Sequence, residues 1–172
     1  MKRLLLGITT FAVLISMSTV ASAQRNPRGK AALDLGGKKV SVEYGRPSLK
    51  GRTAEDMLSK LPVGGFWRLG ADTSTTFTTS GDLAFGDTKV PAGTYSLWAQ
   101  KESDTSWKLV FNSQHGQWGT EHDPGKDVVS AAMKSGRAAD PPDQVTIALA
   151  KDKANGVIAI EWGNLRLSAE FN

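Results

Sequence analysis

Two histidines in the second half of the chain are the residues best suited to bind a metal ion. His115 and His122 are the only histidines in the sequence, and Asp123 and Asp127 follow them. Imidazole and carboxylate are ligands that zinc and other divalent ions accept, and a loop could bring them to one centre. The spacing is not that of the His-Glu-x-x-His helix motif, and the sequence has no cysteine. A metal site of His115, His122 and Asp123 is therefore one hypothesis, with surface-loop histidines as the alternative.

Cationic side chains gather in two short segments and predict a site for an anion. Guanidinium groups match the oxygens of carboxylate, sulfate or phosphate two at a time, so loop arginines could converge on such a ligand. The alternative is that these arginines bind backbone carbonyls and nearby carboxylates and hold the loops in place. The candidate ligand-binding residues in these segments are Arg46, Lys50, Arg52, Trp67, Arg68 and Asp72.

Five tryptophans raise a further possibility, because indole faces stack on sugar rings. Trp107 and Trp162 are in phase with apolar residues of their strands, which predicts burial, whereas Trp98 could face either way. Trp118 lies between glycines in a predicted loop and is added to the candidate ligand-binding residues. Large aromatic side chains more often stabilise a core than bind sugar, so the core interpretation is the alternative.

Nucleophilic catalysis has little support in the sequence. The chain contains no cysteine and no Gly-x-Ser-x-Gly segment, so neither common arrangement for a covalent intermediate is present. Pairs of carboxylates, as in glycosidases, stay open because their separation depends on the fold. Enzyme status is therefore undecided, and no cofactor is expected.

The N-terminal residues predict export from the cell. Lys2 and Arg3 precede an apolar run, and small residues follow up to Ala23. This order is typical of a secretory signal peptide, residues 1–23, with cleavage before Gln24. The run is too short and too rich in hydroxyl residues for a stable membrane anchor, and no cysteine is present for a lipid anchor. We expect a periplasmic or secreted protein that does not bind nucleic acid, because no basic stripe with interleaved aromatics is present.

The remaining residues, 24–172, predict a single all-β domain. Apolar residues recur at every second position in several runs, which is the period of half-buried strands. Gly36-Gly37, Asn155-Gly156 and Gly163-Asn164 are suited to hairpin turns. One short helix is expected at residues 53–61. Eight to nine strands with close turns favour an antiparallel two-sheet sandwich or jelly roll over a closed barrel.

Four segments together carry a resemblance to a known family. They are residues 42–52 (VEYGRPSLKGR), 67–72 (WRLGAD), 91–97 (PAGTYSL) and 116–119 (GQWG). In these segments the chain resembles the domain-of-unknown-function 2911 family of exported bacterial proteins, over about residues 35–171. The resemblance implies an exported envelope protein, and it brings no catalytic role.

Three functions remain in view. The favoured hypothesis is a non-catalytic envelope or secreted binding module for a small ligand, which could be anionic, near the loops of Arg46, Arg52 and Arg68. The partner would be a small molecule or a cell-envelope component. The second is a metal-assisted hydrolase that uses His115 and His122. The third is a structural or protein-interaction domain, for which an exposed apolar patch would be the sign.

Overall fold

The computed structural model describes residues 26–172. The predicted signal peptide, residues 1–23, lies outside the described residues. Within them, no helix is long and apolar enough to cross a membrane.

The described residues form an all-β protein with one short α-helix, as predicted. The helix α1, Ala54–Leu58, is shorter than expected, and the hydroxyl of Thr53 accepts a hydrogen bond from the backbone N–H of Asp56 at its start. A 3-10 turn covers Pro124–Lys126. The strands are β1 Arg28–Leu35, β2 Lys38–Gly45, β3 Phe66–Trp67, β4 Thr76–Thr79, β5 Leu83–Phe85, β6 Thr88–Val90, β7 Gly93–Lys101, β8 Trp107–Asn112, β9 Asp127–Arg137, β10 Thr146–Asp152, β11 Asn155–Trp162 and β12 Leu165–Phe171.

Ten of these strands belong to one antiparallel sheet, in the order β1-β2-β4-β7-β8-β9-β12-β11-β10, with β3 also paired to β7. The sheet curls until β1 and β10, its two edge strands, lie beside each other. The Tyr44 hydroxyl on β2 donates to the carbonyl of Ile147 on β10, 3.2 Å away, and ties the two sides together. The layers that face each other across the core are therefore parts of one nearly closed sheet, and β5 and β6 form a separate two-stranded sheet.

Turn geometry agrees with most of the sequence expectations. Gly36, Gly37 and Gly163 have positive φ and lie in turns between paired strands. The expected turn at Asn155-Gly156 was wrong by two residues, because Asp152 pairs with Asn155 and leaves Lys153 and Ala154 in the turn. Lys153 adopts the positive φ there, a conformation that glycine and asparagine usually supply.

The core has two aromatic clusters at opposite ends of β8. At one end Phe111 packs against Phe77, with ring centroids 5.5 Å apart, and against Phe85 of the small sheet at 5.2 Å. At the other end Trp67 stacks on Trp162 at 5.8 Å and meets the edge of Trp107 at 6.5 Å. The predicted burial of Trp107 and Trp162 is confirmed.

Both faces of β7 are buried, which is unusual for an antiparallel sheet with one solvated side. Leu97 belongs to the main core, whereas Ser96 and Trp98 point to the other face and are also buried. A segment that we call the covering loop, residues 113–126, lies over this second face. Its Gln117 donates to the Ser96 hydroxyl at 3.4 Å, and its His122 ring lies 4.7 Å from the Trp98 ring. The covering loop therefore creates a second, smaller packed layer on the sheet.

Candidate functional site

A cavity of about 570 Å³ lies at the tryptophan end of the core. This volume is within the roughly 300–1,000 Å³ typical of small-molecule sites. Four aromatic residues contribute to its wall, and α1 and the covering loop flank them. We call it the aromatic cavity; its lining residues are Pro47, Met57, Leu58, Lys60, Leu61, Phe66, Trp67, Arg68, Gly70, Trp98, Gly119, Thr120, His122 and Trp162.

The covering loop is fixed beside this cavity by backbone pairing. The N–H of Gly119 donates to the carbonyl of Asp72 at 2.7 Å, and the N–H of Ser74 donates to the carbonyl of Gln117 at 2.9 Å. A Cβ at position 119 would lie only 2.6 Å from the Asp72 oxygen, so this approach needs a glycine. The Arg68 side chain passes the same glycine, 3.3 Å from that Cβ position. Two of the four motif segments are thus joined directly at the cavity wall.

A second close approach joins the first two motif segments. A Cβ on Gly45 would lie 2.1 Å from the carbonyl oxygen of Ala71. A Cβ on Gly70 would lie 2.8 Å from the Thr75 hydroxyl and 3.0 Å from the Gly45 carbonyl oxygen. These glycines let the segment after β3 pack against the end of β2. That packing sets the position of the Arg68 backbone at the cavity.

His122 is held at the cavity wall by a polar pair beneath the covering loop. Its Nε2 lies 2.8 Å from Oδ1 of Asp127, and the same oxygen accepts a hydrogen bond from Nδ2 of Asn112 at 2.7 Å. The ring packs against Phe66 at 4.1 Å and Trp98 at 4.7 Å, and only 9% of the side chain is exposed. The histidine is therefore a fixed part of the site and not a mobile surface residue.

Charge at the aromatic cavity has one sign. Lys60 and Arg68 are among its lining residues, whereas no aspartate or glutamate of the described chain is. Arg68 is half-buried. A cavity whose lining residues include cations and no carboxylate favours a ligand that carries negative charge.

The other predicted cationic residues lie elsewhere. Arg46 donates to the carbonyl of Val145 and to the hydroxyl of Thr146, both at 3.2 Å. Arg52 donates to the carbonyl of Leu49 at 2.9 Å and lines a separate cavity beside α1. Lys50 is exposed in a turn with positive φ. The structure therefore does not bring Arg46, Arg52 and Arg68 to one cavity, and the first two bind backbone carbonyls, as the structural alternative expected.

Asp72 and Trp118 belong to the two segments that pair through their backbones beside the cavity. The Asp72 carboxylate accepts hydrogen bonds from the backbone and side chain of Asn26, at 2.7 and 3.3 Å. Trp118 forms a β-bridge with Thr73, and 45% of its surface is exposed. Neither side chain lines the aromatic cavity.

The three proposed metal ligands are not brought together. Within residues 26–172, no group of three or more histidine, cysteine, aspartate or glutamate side chains is placed to hold a metal ion. Asp123 instead accepts a hydrogen bond from the N–H of Gly125 at 3.0 Å, and His115 is exposed. The geometry gives the metal-assisted hydrolase no support.

Several site residues were missed by the sequence interpretation. Phe66 precedes Trp67 on a strand of only two residues, too short for a periodic signal. Lys60 follows the helix, and Asn112 ends β8, where an asparagine resembles any other turn residue. Trp98, whose orientation the sequence left open, is buried on the second face of β7. A hydrophobic run on both faces of that strand was the available signal for a covering segment.

One buried polar atom at the site has no partner. The indole Nε1 of Trp162 is enclosed and makes no hydrogen bond to any of the described residues. Because the atom is shielded even from water, a ligand could reach it only after the surrounding side chains moved. We therefore assign this group no part in binding.

Comparison with known proteins identifies the family. The model of the family described as a protein of unknown function (DUF2911) matches residues 26–171, a range that includes every residue of the aromatic cavity. No curated protein and no solved structure shows significant similarity to the chain. The resemblance noted in the four motif segments is therefore confirmed, and the chain belongs to the DUF2911 family.

Proposed function

We propose that this protein is a non-catalytic binding module, and that the aromatic cavity holds a small apolar molecule with an anionic group. The observation that carries the proposal is the composition of the cavity wall. It combines four aromatic side chains with two cations and contains no carboxylate of the described residues.

The aromatic side chains supply the apolar part of the binding energy. Trp67 and Trp162 stack face to face and are buried, so they offer a wall that needs little reordering when a ligand arrives. Trp98 is fixed by a 2.9 Å hydrogen bond from its Nε1 to the Ser96 hydroxyl. Preorganised walls of this kind lower the entropy cost of binding. A planar or cyclic ligand body fits them best.

Arg68 supplies the polar part. Its stem passes Gly119 at the loop pairing, and the residue lines the cavity. A guanidinium beside apolar walls binds a carboxylate, sulfonate or phosphate more strongly than one in bulk water does. Lys60 adds a second positive charge at the cavity. These cations give the site its preference for an anion.

We also propose that binding takes place outside the cytoplasm, in the periplasm or after secretion, with a small molecule or a cell-envelope component as partner. The support is the charge and hydropathy order of residues 1–23. Intact-mass measurement of the protein recovered from an exporting bacterium should give a chain that begins at Gln24. A mature chain that retains Met1 would contradict export by this leader.

Fluorescence titration with anilinonaphthalene sulfonate tests the binding proposal, because this probe joins aromatic rings to an anionic group. We expect saturable binding of one probe per folded chain. The variant Arg68→Gln should bind at least about tenfold more weakly, the loss expected for one charge-assisted hydrogen bond.

The matched control is Arg137→Gln, which removes an exposed arginine on β9 that does not line the cavity. It should bind the probe as the wild type does. Near-ultraviolet circular dichroism confirms that each variant is folded, since this probe also binds partly unfolded chains. Equal affinity in the wild type and Arg68→Gln, or no binding to the folded wild type, would overturn the proposal.

A further inference from the structure

His122 lines the aromatic cavity, and its two ring nitrogens differ in their hydrogen-bond partners. Nε2 is engaged by Asp127, whereas Nδ1 has no hydrogen-bond partner within residues 26–172. Nδ1 is not fully enclosed by protein atoms, so it borders accessible space. His122 is also a lining residue of the aromatic cavity, so accessible space of the cavity lies beside this ring.

The tautomer of this histidine follows from Asn112, which is fully buried. Its side-chain oxygen accepts a hydrogen bond from the N–H of Gln114 at 2.9 Å, which fixes the orientation of the amide. The two hydrogens on Nδ2 then go to the carbonyl of Asp123 at 2.8 Å and to the carboxylate of Asp127 at 2.7 Å. Every hydrogen-bonding group of the amide is used.

Asp127 can therefore only accept at this point. Its Oδ1 takes one hydrogen bond from Asn112, and as a carboxylate oxygen it has no hydrogen to offer His122. Nε2 of His122 must be the donor across the 2.8 Å contact. In the neutral imidazole the other nitrogen is then an acceptor. The polar pair beneath the loop thus leaves a lone pair on Nδ1 of a residue that lines the cavity.

We infer that Nδ1 of His122 faces the aromatic cavity in its neutral form and accepts a hydrogen bond from the bound ligand. This assigns the ligand to the class of small ring anions that also carry a hydroxyl or N–H group. The inference rests on the proposed function, because it concerns the same cavity. The cations bind the anionic group, the aromatic walls hold the ring, and His122 distinguishes a ligand with a donor from one without. A site built to bind a hydroxyl rejects the analogue that lacks it, since the buried acceptor is then left unpaired.

Calorimetric titrations with benzoate, its ortho, meta and para hydroxy derivatives, and the three matching methoxy derivatives test this inference. At least one hydroxybenzoate should bind the wild type about three- to tenfold more tightly than both its methoxy counterpart and benzoate, which is the range of one neutral hydrogen bond. In His122→Phe the ring is retained between Phe66 and Trp98, and the advantage of the hydroxyl should disappear. The matched control His115→Phe changes the exposed histidine and should keep the advantage.

Nitrogen-15 spectra of the wild-type histidine rings keep the inference testable if His122→Phe does not fold. We expect Nε2 of His122 to carry the proton, and the Nδ1 signal to move upfield when the preferred hydroxybenzoate is added. A proton on Nδ1 in the free protein would overturn the inference, as would a hydroxyl advantage that is absent from every isomer or persists in His122→Phe. If the benzoates bind through Arg68 without a hydroxyl advantage, only this inference fails. If neither the benzoates nor anilinonaphthalene sulfonate bind, the proposed function fails with it.

Discussion

Replacing Asn112 by alanine should destabilise the protein strongly, although the asparagine side chain is small. The side chain is completely buried at the end of β8. It makes three hydrogen bonds, to the Gln114 N–H, the Asp123 carbonyl and the Asp127 carboxylate, all between 2.7 and 2.9 Å. The variant removes all three, so two backbone groups of the covering loop and the Asp127 carboxylate lose this partner.

The magnitude follows from the types of these bonds. The bond to the Asp127 carboxylate contributes about 1.5–3 kcal/mol, and each neutral bond about 0.5–1.5 kcal/mol. These contributions share one side chain and do not add fully, and water reaches part of the loop, so we expect a loss of about 2–5 kcal/mol in the free energy of unfolding. Losses above about 4 kcal/mol are rare for single substitutions.

Urea unfolding followed by tryptophan fluorescence measures this loss. The matched control is Ser113→Ala, at the next residue, whose exposed hydroxyl donates to the carbonyl of Lys126 at 3.1 Å. Because water can replace that bond, the control should lie within about 0.5 kcal/mol of the wild type. A loss of less than about 1 kcal/mol for Asn112→Ala would refute the reasoning, since it would mean that the amide does not hold the loop.

Two further predictions concern stability. Gly45→Ala should lower the free energy of unfolding by at least about 3 kcal/mol, the upper range for overpacking, because its Cβ would lie 2.1 Å from the backbone oxygen of Ala71. The control Gly136→Ala has no atom within 4 Å of its Cβ position and should leave the urea midpoint nearly unchanged. The hydrogen bond and the charge of Lys134 lower the pKa of Glu170, so its stabilising contribution is present at neutral pH and is lost as pH falls through that lowered pKa. Glu170→Gln should thus be less stable than the wild type at neutral pH and low salt, and the difference in urea midpoint should shrink on acidification; a difference that stayed constant would contradict the pairing.

The fold class was accessible from sequence because alternation of apolar and polar residues reports strands directly. The runs that contain Leu109, Ile147 and Leu167 all lie in strands with those residues buried. The closure of the sheet could not be predicted from the sequence, since it depends on contact between β1 and β10, which are far apart in the chain. The turn at Lys153 was misplaced because glycine is preferred, but not required, at positive φ. The pairing register of β10 and β11 places Lys153 in the turn instead.

The site was accessible only in part. Trp67 and Arg68, two of the predicted ligand-binding residues, line the aromatic cavity, and their use in binding stays a prediction. Arg46 and Arg52 carry the same guanidinium group as Arg68, but their side chains donate to nearby backbone carbonyls. The spacing of residues in the sequence does not reveal these contacts. His122 was singled out as a metal ligand, whereas the structure gives it a carboxylate partner and an aromatic environment. Residue type indicated which kinds of binding were possible, and the fold determined which contacts each side chain makes.

A proton–nitrogen correlation spectrum recorded during addition of anilinonaphthalene sulfonate tests the central claim most directly. The probe should shift the indole signals of Trp67 and Trp98, which line the aromatic cavity, at one probe per chain. The indole signal of Trp118, which is exposed and outside the cavity, should stay in place. Movement of the Trp118 signal with the other two unchanged would place binding on the surface and contradict the assignment of the cavity as the ligand site.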